Sequence, residues 1–581
     1  MQGQSDPKKD GSSGIKNPKR RLRNNRVRSS ARFLRRARQL LAIGVFVPLV
    51  LFFLDFSGLL SIEWRQLTAI QIIPALLAAN GIVLAGLVIL ALLGGRIYCS
   101  VICPLGVTQD CVSRLAAWPK KRSRTRRKVV RSSGAYSPEK RLMRWTICGA
   151  VVLGWGVGIP IVLSLFDPYS IFSRMTVQIF RPVYLAGNNL LEQILSSFGI
   201  YATHHVNIVS PEPIILLLSV APAALVIFLA WKHGRLYCNT ICPVGTLLGL
   251  FGKWSLYKVR LQPERCGSCK KCERVCKSSC IDSARRVIDY SRCVVCMNCL
   301  AVCHRGALRF GLPSSSRPVQ PSLTEKKAEA QDTPCTVTGE KSNYHHNDLE
   351  NSTRRILLGT LIGASVYAEG IRKVAWAQES GQKSGPDTDL PPLIERRTQA
   401  IFPPGGLDAE RFHSRCTACH LCVAKCPAQI LRPAITEYGL SGVLQPTLHF
   451  VDGFCGYDCT VCTDVCPSGA LRPLSVEEKH LTQIGLVVFD QTLCVVHTQG
   501  TNCGACAEHC PTQGVIMEPF HDGLTIPVVD TEKCIGCGGC EYICPTRPYK
   551  AIYVEGKSPH TRRTPPQIEK AQEKSIDSFG F

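Results

Sequence analysis

Cys534-Ile535-Gly536-Cys537-Gly538-Gly539-Cys540-Glu541-Tyr542-Ile543-Cys544-Pro545 carries three thiols at two-residue gaps, a fourth after three more residues, and then a proline. Three thiolates so close together on one loop reach three irons of a single cubane, while the fourth lies beyond the turn and can cross to a neighbouring cluster. The rhythm C-x2-C-x3-C ends six such quartets, which take up 24 of the chain's 32 cysteines. The other five are Cys266/Cys269/Cys272/Cys276, Cys293/Cys296/Cys299/Cys303, Cys416/Cys419/Cys422/Cys426, Cys455/Cys459/Cys462/Cys466 and Cys494/Cys503/Cys506/Cys510. Structural zinc sites pair two C-x2-C units across a longer loop, and a disulfide framework imposes no such repeated rhythm. Six repetitions predict six [4Fe–4S] clusters and single-electron transfer. The crossing rule predicts that Cys266, Cys269 and Cys272 join Cys303, and that Cys293, Cys296 and Cys299 join Cys276.

Outward from the quartets, the formal net charge is +26, with the basic residues gathered in two blocks. One runs from Lys8 to Arg38 and the other from Lys120 to Arg131, and each flanks a long apolar run. That is the pattern of loops on the cytoplasmic side of a membrane, not of a nucleic-acid-binding face. Residues 40–60, 72–95, 145–166 and 214–231 are long and apolar enough to span a bilayer. The charge bias then predicts residues 96–144 and 232–353 inside, and loops 61–71 and 167–213 outside. The first two quartets are expected in the cytoplasm.

Residues 312–351 form a polar linker with no apolar period, which predicts disorder. After it, Arg354-Arg355 precede a short apolar run, and Ala375-Trp376-Ala377 offers a cleavage-like site. This is the pattern of a twin-arginine export signal, whose route carries folded proteins. Its position ahead of four quartets predicts that residues 378–581 are periplasmic, exported by the twin-arginine translocase.

Gly95-Arg96-Ile97-Tyr98-Cys99-Ser100-Val101-Ile102-Cys103-Pro104-Leu105-Gly106 recurs as Gly234-Arg235-Leu236-Tyr237-Cys238-Asn239-Thr240-Ile241-Cys242-Pro243-Val244-Gly245, with eight of twelve positions identical. Two related helix pairs about an axis along the membrane normal are expected. Three readings of Cys99, Cys103, Cys238 and Cys242 stand open: a metal or further cluster site, redox dithiols, or inert helix ends. Of the remaining cysteines, Cys111, Cys148 and Cys335 read as unligated. Cys280 reads as unligated too, with the alternative that it substitutes as fourth ligand, since it stands four residues past Cys276, where Lys277 replaces the usual proline. Asp55, inside an apolar run, is a functional-site candidate or a snorkelling acid, and His204-His205 are a possible quinol contact or a solvated pair.

Together these motifs resemble two families joined end to end. Residues 40–311 look like the NapH (MauN) type, matched by Cys99, Cys103, Cys238, Cys242 and the cysteines from Cys266 to Cys303. Residues 352–556 look like the NapG or MauM type, matched by Arg354, Arg355 and the sixteen cysteines from Cys416 to Cys544. The chain departs from that pattern in being fused and in carrying Lys277 and His304 after the first two quartets. The resemblance implies quinol oxidation in the membrane, feeding a periplasmic reductase such as nitrate reductase or a cytochrome. The alternative is a membrane ferredoxin for copper reduction in oxidase maturation.

The expected fold is an α-helical membrane domain of four transmembrane helices plus α+β ferredoxin-like [4Fe–4S] domains. Its expected divisions are a basic tail (1–39), the membrane domain (40–258), a two-cluster domain (259–311), the linker (312–351), the signal or anchor (352–377), a second linker (378–400), a four-cluster domain (401–556) and a polar tail (557–581). Membrane lipid, the quinol pool and a periplasmic redox protein are the expected partners, and no nucleic acid.

Overall fold

Arginine-rich residues run without a break into apolar ones as a single helix, α1 (Pro18–Leu54), so no structural boundary falls at residue 40. The computed structural model describes residues 18–122, 136–209, 212–312 and 393–563. The linker, the twin-arginine segment, Ala375–Ala377 and Cys335 lie outside the described residues.

Where four spans are expected, two helices among the described residues are long and apolar enough to cross a membrane: residues Ser29–Leu54 of α1, and Pro213–His233. The run at 72–95 breaks into α2 (Ile72–Leu77) and α3 (Gly81–Gly94), because the Asn80 side chain accepts from Val83 N–H and starts a new helix. The later helices before Pro213 are α4 (Tyr98–Val101), α5 (Pro104–Arg122), α6 (Arg141–Gly156), α7 (Pro160–Phe166), α8 (Pro168–Met175) and α9 (Arg181–Ser197). The run at 145–166 likewise breaks between α6 and α7, at a turn through Gly158 (φ +83°). After α10 (Pro213–His233) come α11 (Leu236–Thr240) and α12 (Pro243–Trp254).

The two copies of the sequence repeat fold alike. Helices α3 and α10 each end at a glycine with positive φ, Gly95 (+67°) and Gly234 (+69°), a conformation that glycine adopts without penalty. The short helices α4 and α11 follow, each turning at its C-x3-C-P motif into α5 or α12. In each copy a glycine sits against a backbone carbonyl: a Cβ on Gly106 would lie 2.2 Å from Cys99 O, and one on Gly245 the same distance from Cys238 O. That approach lets the loop close on itself. Large apolar side chains remain exposed along these helices, including Leu40, Val47, Ile89, Leu153, Trp155, Leu225 and Trp231. Exposed apolar surface of this extent is the kind found at membrane or protein–protein contacts.

The two-quartet unit is closed by antiparallel strands Lys258–Leu261 and Leu308–Gly311 and joined to the bundle where Leu256 and Tyr257 N–H groups donate to Leu92 and Leu93 carbonyls. The four-quartet unit is built on Thr482–Phe489 paired with Ile552–Arg562, with smaller hairpins at Val515–Val529 and Leu431–Leu448. Helix α1 joins both. Ala31 packs into the core of the two-quartet unit, while Lys425 of the four-quartet unit lies 4.5 Å above the Phe52 ring. The helix rises roughly 30 Å between those residues.

Candidate iron–sulfur and membrane thiol sites

The backbone of the quartets is shaped before any side chain is considered. In four quartets the same two positions adopt positive φ: Ser268 and Lys270, Val295 and Met297, Ala418 and His420, Gly536 and Gly538. Left-handed backbone is costly for a β-branched residue such as Val295. Alternation of this kind turns successive N–H groups to one side and makes an anion-binding concavity, the form used at Fe–S sites. Short helices then begin at the third cysteine, as at Leu421–Lys425, Val461–Val465 and Gly539–Ile543.

The structure brings the thiols together in the crossed manner. A cavity of about 360 Å³ is lined by Cys276, Cys293, Cys296 and Cys299, the set expected from the crossing rule, and also by Cys280. A second, of about 350 Å³, is lined by Cys494, Cys503, Cys506 and Cys544. Cys416, Cys419 and Cys422 lie close enough for charge interaction with Cys466. Cys462 is in the same relation to Cys455, Cys459 and Cys426, and Cys540 to Cys534, Cys537 and Cys510. The pairing of the four later quartets, open in the sequence, is therefore crossed throughout. Cys266, Cys269 and Cys272 lie on the loop before and within helix Lys271–Arg274, and Cys303 closes helix Asn298–Val302. Among the described residues no group of three or more His, Cys, Asp or Glu is placed to hold a single metal ion.

Contacts between sets give the four-quartet unit a linear order. Cys422 lies near Cys462, the Cys455 N–H donates to Cys537 O at 2.9 Å, and Cys540 lies near Cys506. The set containing Cys416 is at one end and the set containing Cys494 at the other.

The four repeat thiols are each 4 % exposed and share one core. All six pairs among Cys99, Cys103, Cys238 and Cys242 are close enough to interact. Two fully buried arginines cross between the copies. Arg96, of the first, donates to Cys238 O (2.8 Å), and Arg235, of the second, donates to Cys99 O (2.5 Å). Gln109 Nε2 donates to Cys238 Sγ (3.3 Å) and Gly245 N–H to Cys242 Sγ (3.3 Å). Arg38 donates to Ser100 O, and Asp110 takes ion pairs from Arg235 and Lys277 at 2.8 and 2.9 Å. Buried cations outnumber carboxylates here, and Arg96 Nε and Arg235 Nη2 have no hydrogen-bond partner among the described residues. A thiolate-ligated group of net negative charge fits that surplus. The arginines and Asp110 were not singled out from the sequence, although Gly-Arg-x-Tyr-Cys repeats in both copies and was the available signal.

Both units touch this core. From the two-quartet side, Lys277 O accepts from Arg235 N–H (3.0 Å), Ser278 O from Asn239 (3.1 Å) and Ser291 O from Arg96 (3.1 Å). Lys277, in place of proline, thus serves as a docking residue. Toward the other end, Tyr98 Oη donates to Gln71 (2.8 Å) and Tyr237 Oη to Phe166 O (2.9 Å). Tyr169 follows on α8, and the same apolar core holds both Cys296 and Cys419. The four-quartet unit is fixed there by Arg65 to Asp464 O (2.6 Å), Trp155 to Ser414 O (3.2 Å) and Gln178 to His420 Nδ1 (3.0 Å). Burial, with the charge of Arg174 beside it, lowers the His420 pKa to about 3. The Asp55 side chain is buried and pairs with Lys425 at 2.6 Å. His204 stands edge-on to Phe56, Cys111 is exposed and Cys148 buried.

One family model, described as a 4Fe-4S binding domain, matches twice, at residues 76–126 and 214–262, once over each copy of the repeat. Two 4Fe-4S dicluster domain models match residues 415–471 and 499–547. The ferredoxin-type protein MauM of Methylobacillus flagellatus, a methylamine utilization protein, is 34 % identical over 156 residues, 25 % of this chain and 63 % of its own length. MauM of Methylophilus methylotrophus is 32 % identical over 26 % of this chain and 68 % of its own. The ferredoxin-type protein NapG of Escherichia coli K12 is 34 % identical over 25 % of this chain and 65 % of its own. The chain spans just under two thirds of the length of the first and third of these relatives. No solved structure matches.

Proposed function

For a chain that belongs, through about a quarter of its length, to the family of MauM ferredoxin-type proteins, we infer a membrane-bound iron–sulfur electron carrier that oxidises quinol and delivers electrons to a periplasmic reductase such as nitrate reductase. Its first half acts as the NapH-type partner of its second, fused into one polypeptide. The observation that carries this reading is the single buried core that contains the four repeat thiols, Cys296 on one side and Cys419 on the other. The roughly 30 Å rise of α1 between the two units is the hydrocarbon thickness of a bilayer.

Bound clusters supply one-electron steps; the residues supply the order and the environment. The six quartets would hold six [4Fe–4S] clusters, and Cys99, Cys103, Cys238 and Cys242 would hold a further cluster between them. Arg96, Arg235 and Arg38 offset its charge. The buried side chains of Tyr98, Tyr237 and Tyr169 lie in the same core as Cys419. Each quinol yields two electrons and two protons and leaves as quinone. The set containing Cys494, at the far end of the linear order, would hold the cluster from which a soluble acceptor draws electrons.

The Cys99→Ser/Cys238→Ser double variant tests this reading, because it leaves every quartet intact. Quinol-dependent reduction of the four-quartet unit is expected to collapse, while reduction by dithionite persists, and iron falls from about 28 to about 24 per chain at four per cluster. Wild-type quinol kinetics in that variant, at normal protein levels, refute the role given to the repeat thiols.

A further inference from the structure

Cys280 is the one cysteine of the two-quartet unit that belongs to neither quartet. It is 1 % exposed, among the most buried thiols of the chain, and lines the same cavity as Cys276, Cys293, Cys296 and Cys299. Its sulfur lies 3.5 Å from Cys276 Sγ, and it also hydrogen-bonds the Cys293 side chain. A sulfur–sulfur distance of 3.5 Å is far beyond a disulfide. Nor can two thiolates so close occupy separate corners of one cubane, whose ligand sulfurs point away from one another.

Cys276 has the stronger claim to the corner. It is the fourth member of its quartet, and the equivalent cysteines Cys426, Cys466, Cys510 and Cys544 all cross to the neighbouring set. Cys280 is placed between two ligand sulfurs instead, one from each quartet. Its backbone is fixed by the following strand, Ile281–Asp282, and by Asp289 N–H, which donates to Cys280 O at 2.8 Å. A thiol held there has an S–H to donate and two thiolates to receive it.

We propose that Cys280 is a non-ligating thiol that donates a hydrogen bond to the ligand sulfurs of Cys276 and Cys293 and so raises the reduction potential of that cluster. A donor at a ligand sulfur draws charge from the cluster and favours its reduced, more negative state. The segment from Cys276 to Cys280 also carries Lys277 and Ser278, which grip the repeat through Asp110, Arg235 and Asn239. The cluster being tuned is therefore the one docked against the repeat thiols.

This role rests on the reading that Cys276, Cys293, Cys296 and Cys299 hold a cluster, and the experiment separates the two. Redox titration of the anaerobically purified full chain, followed by electron paramagnetic resonance, is run with iron analysis on four variants. In Cys280→Ala, iron is expected to be unchanged and one component to titrate at lower potential. In Cys280→Ser, which keeps a donor, that component is expected between the alanine variant and the wild type. In Cys276→Ser and in Cys296→Ala, about four irons per chain are expected to be lost. Loss of iron from Cys280→Ser, or unchanged potentials in Cys280→Ala, overturns the proposal, as does full iron in Cys276→Ser. Full iron in Cys296→Ala instead overturns the cluster reading itself.

Discussion

At the scale of single residues, the four-quartet unit is held together by side chains whose burial sets their charge state. His560 stacks on Phe402 at 4.1 Å, nearly parallel, and neither ring nitrogen has a hydrogen-bond partner among the described residues. Burial lowers its pKa to about 4, with Asp408 offsetting only part of the effect. An unfolded histidine binds its proton near pH 6.5. Between about pH 6.5 and 4 the unfolded state is therefore protonated while the folded state is not, and stability falls as pH falls through that window. Above it the group is neutral in both states and has no effect; below it both are charged and the loss is complete. The loss amounts to about 3 kcal/mol. His560→Phe keeps the stack and removes the titration. Calorimetry of the full chain should show a shallower decline in the unfolding temperature of this unit between pH 6.5 and 4 in the variant than in the wild type, and equal slopes contradict the assignment.

At the scale of elements, the repeat loops depend on two glycines. A Cβ on Gly245 would meet Cys238 O at 2.2 Å and Arg96 Nη2 at 2.7 Å. A backbone carbonyl cannot move aside cheaply, so Gly245→Ala should cost at least the 1–3 kcal/mol of ordinary overpacking and open the turn that sets Cys238 against Cys242. Iron in the purified protein should drop by about four per chain while the quartet signals remain; full iron in Gly245→Ala contradicts the close-packed loop. These loops also show what a sequence makes legible. Cysteine rhythm and an eight-of-twelve repeat are local and survive reading by eye, so all six quartets and the repeat are found from the sequence. The breaks in the runs at 72–95 and 145–166 were missed because hydropathy integrates over a window, whereas the breaks hang on one Asn80 cap and one turn at Gly158. The arginine exchange between copies was hidden because Arg96 and Arg235 stand 139 positions apart. So was the linear order of the later quartets, which depends on contacts between hairpins.

At the scale of the whole molecule, the two cluster units sit at opposite ends of α1, with repeat thiols buried between them. The proposed function requires the two units to stand on opposite faces of a membrane, and the sequence between them carries Arg354-Arg355 followed by a short apolar run, an export pattern. Of the residues that bind the four-quartet unit, Arg65 and Gln178 fall within the segments that the charge bias predicts outside. Reporter fusions decide the matter. A reporter active only outside the cytoplasm should be silent when fused at residue 320 and active at residue 400. Arg354→Lys/Arg355→Lys should silence the fusion at 400 and strip the membrane fraction of the four-quartet unit, since an unexported unit cannot reach Asp55. Activity at 400 that survives both this substitution and loss of the twin-arginine translocase contradicts the topology, and with it the assignment of the two units to opposite faces.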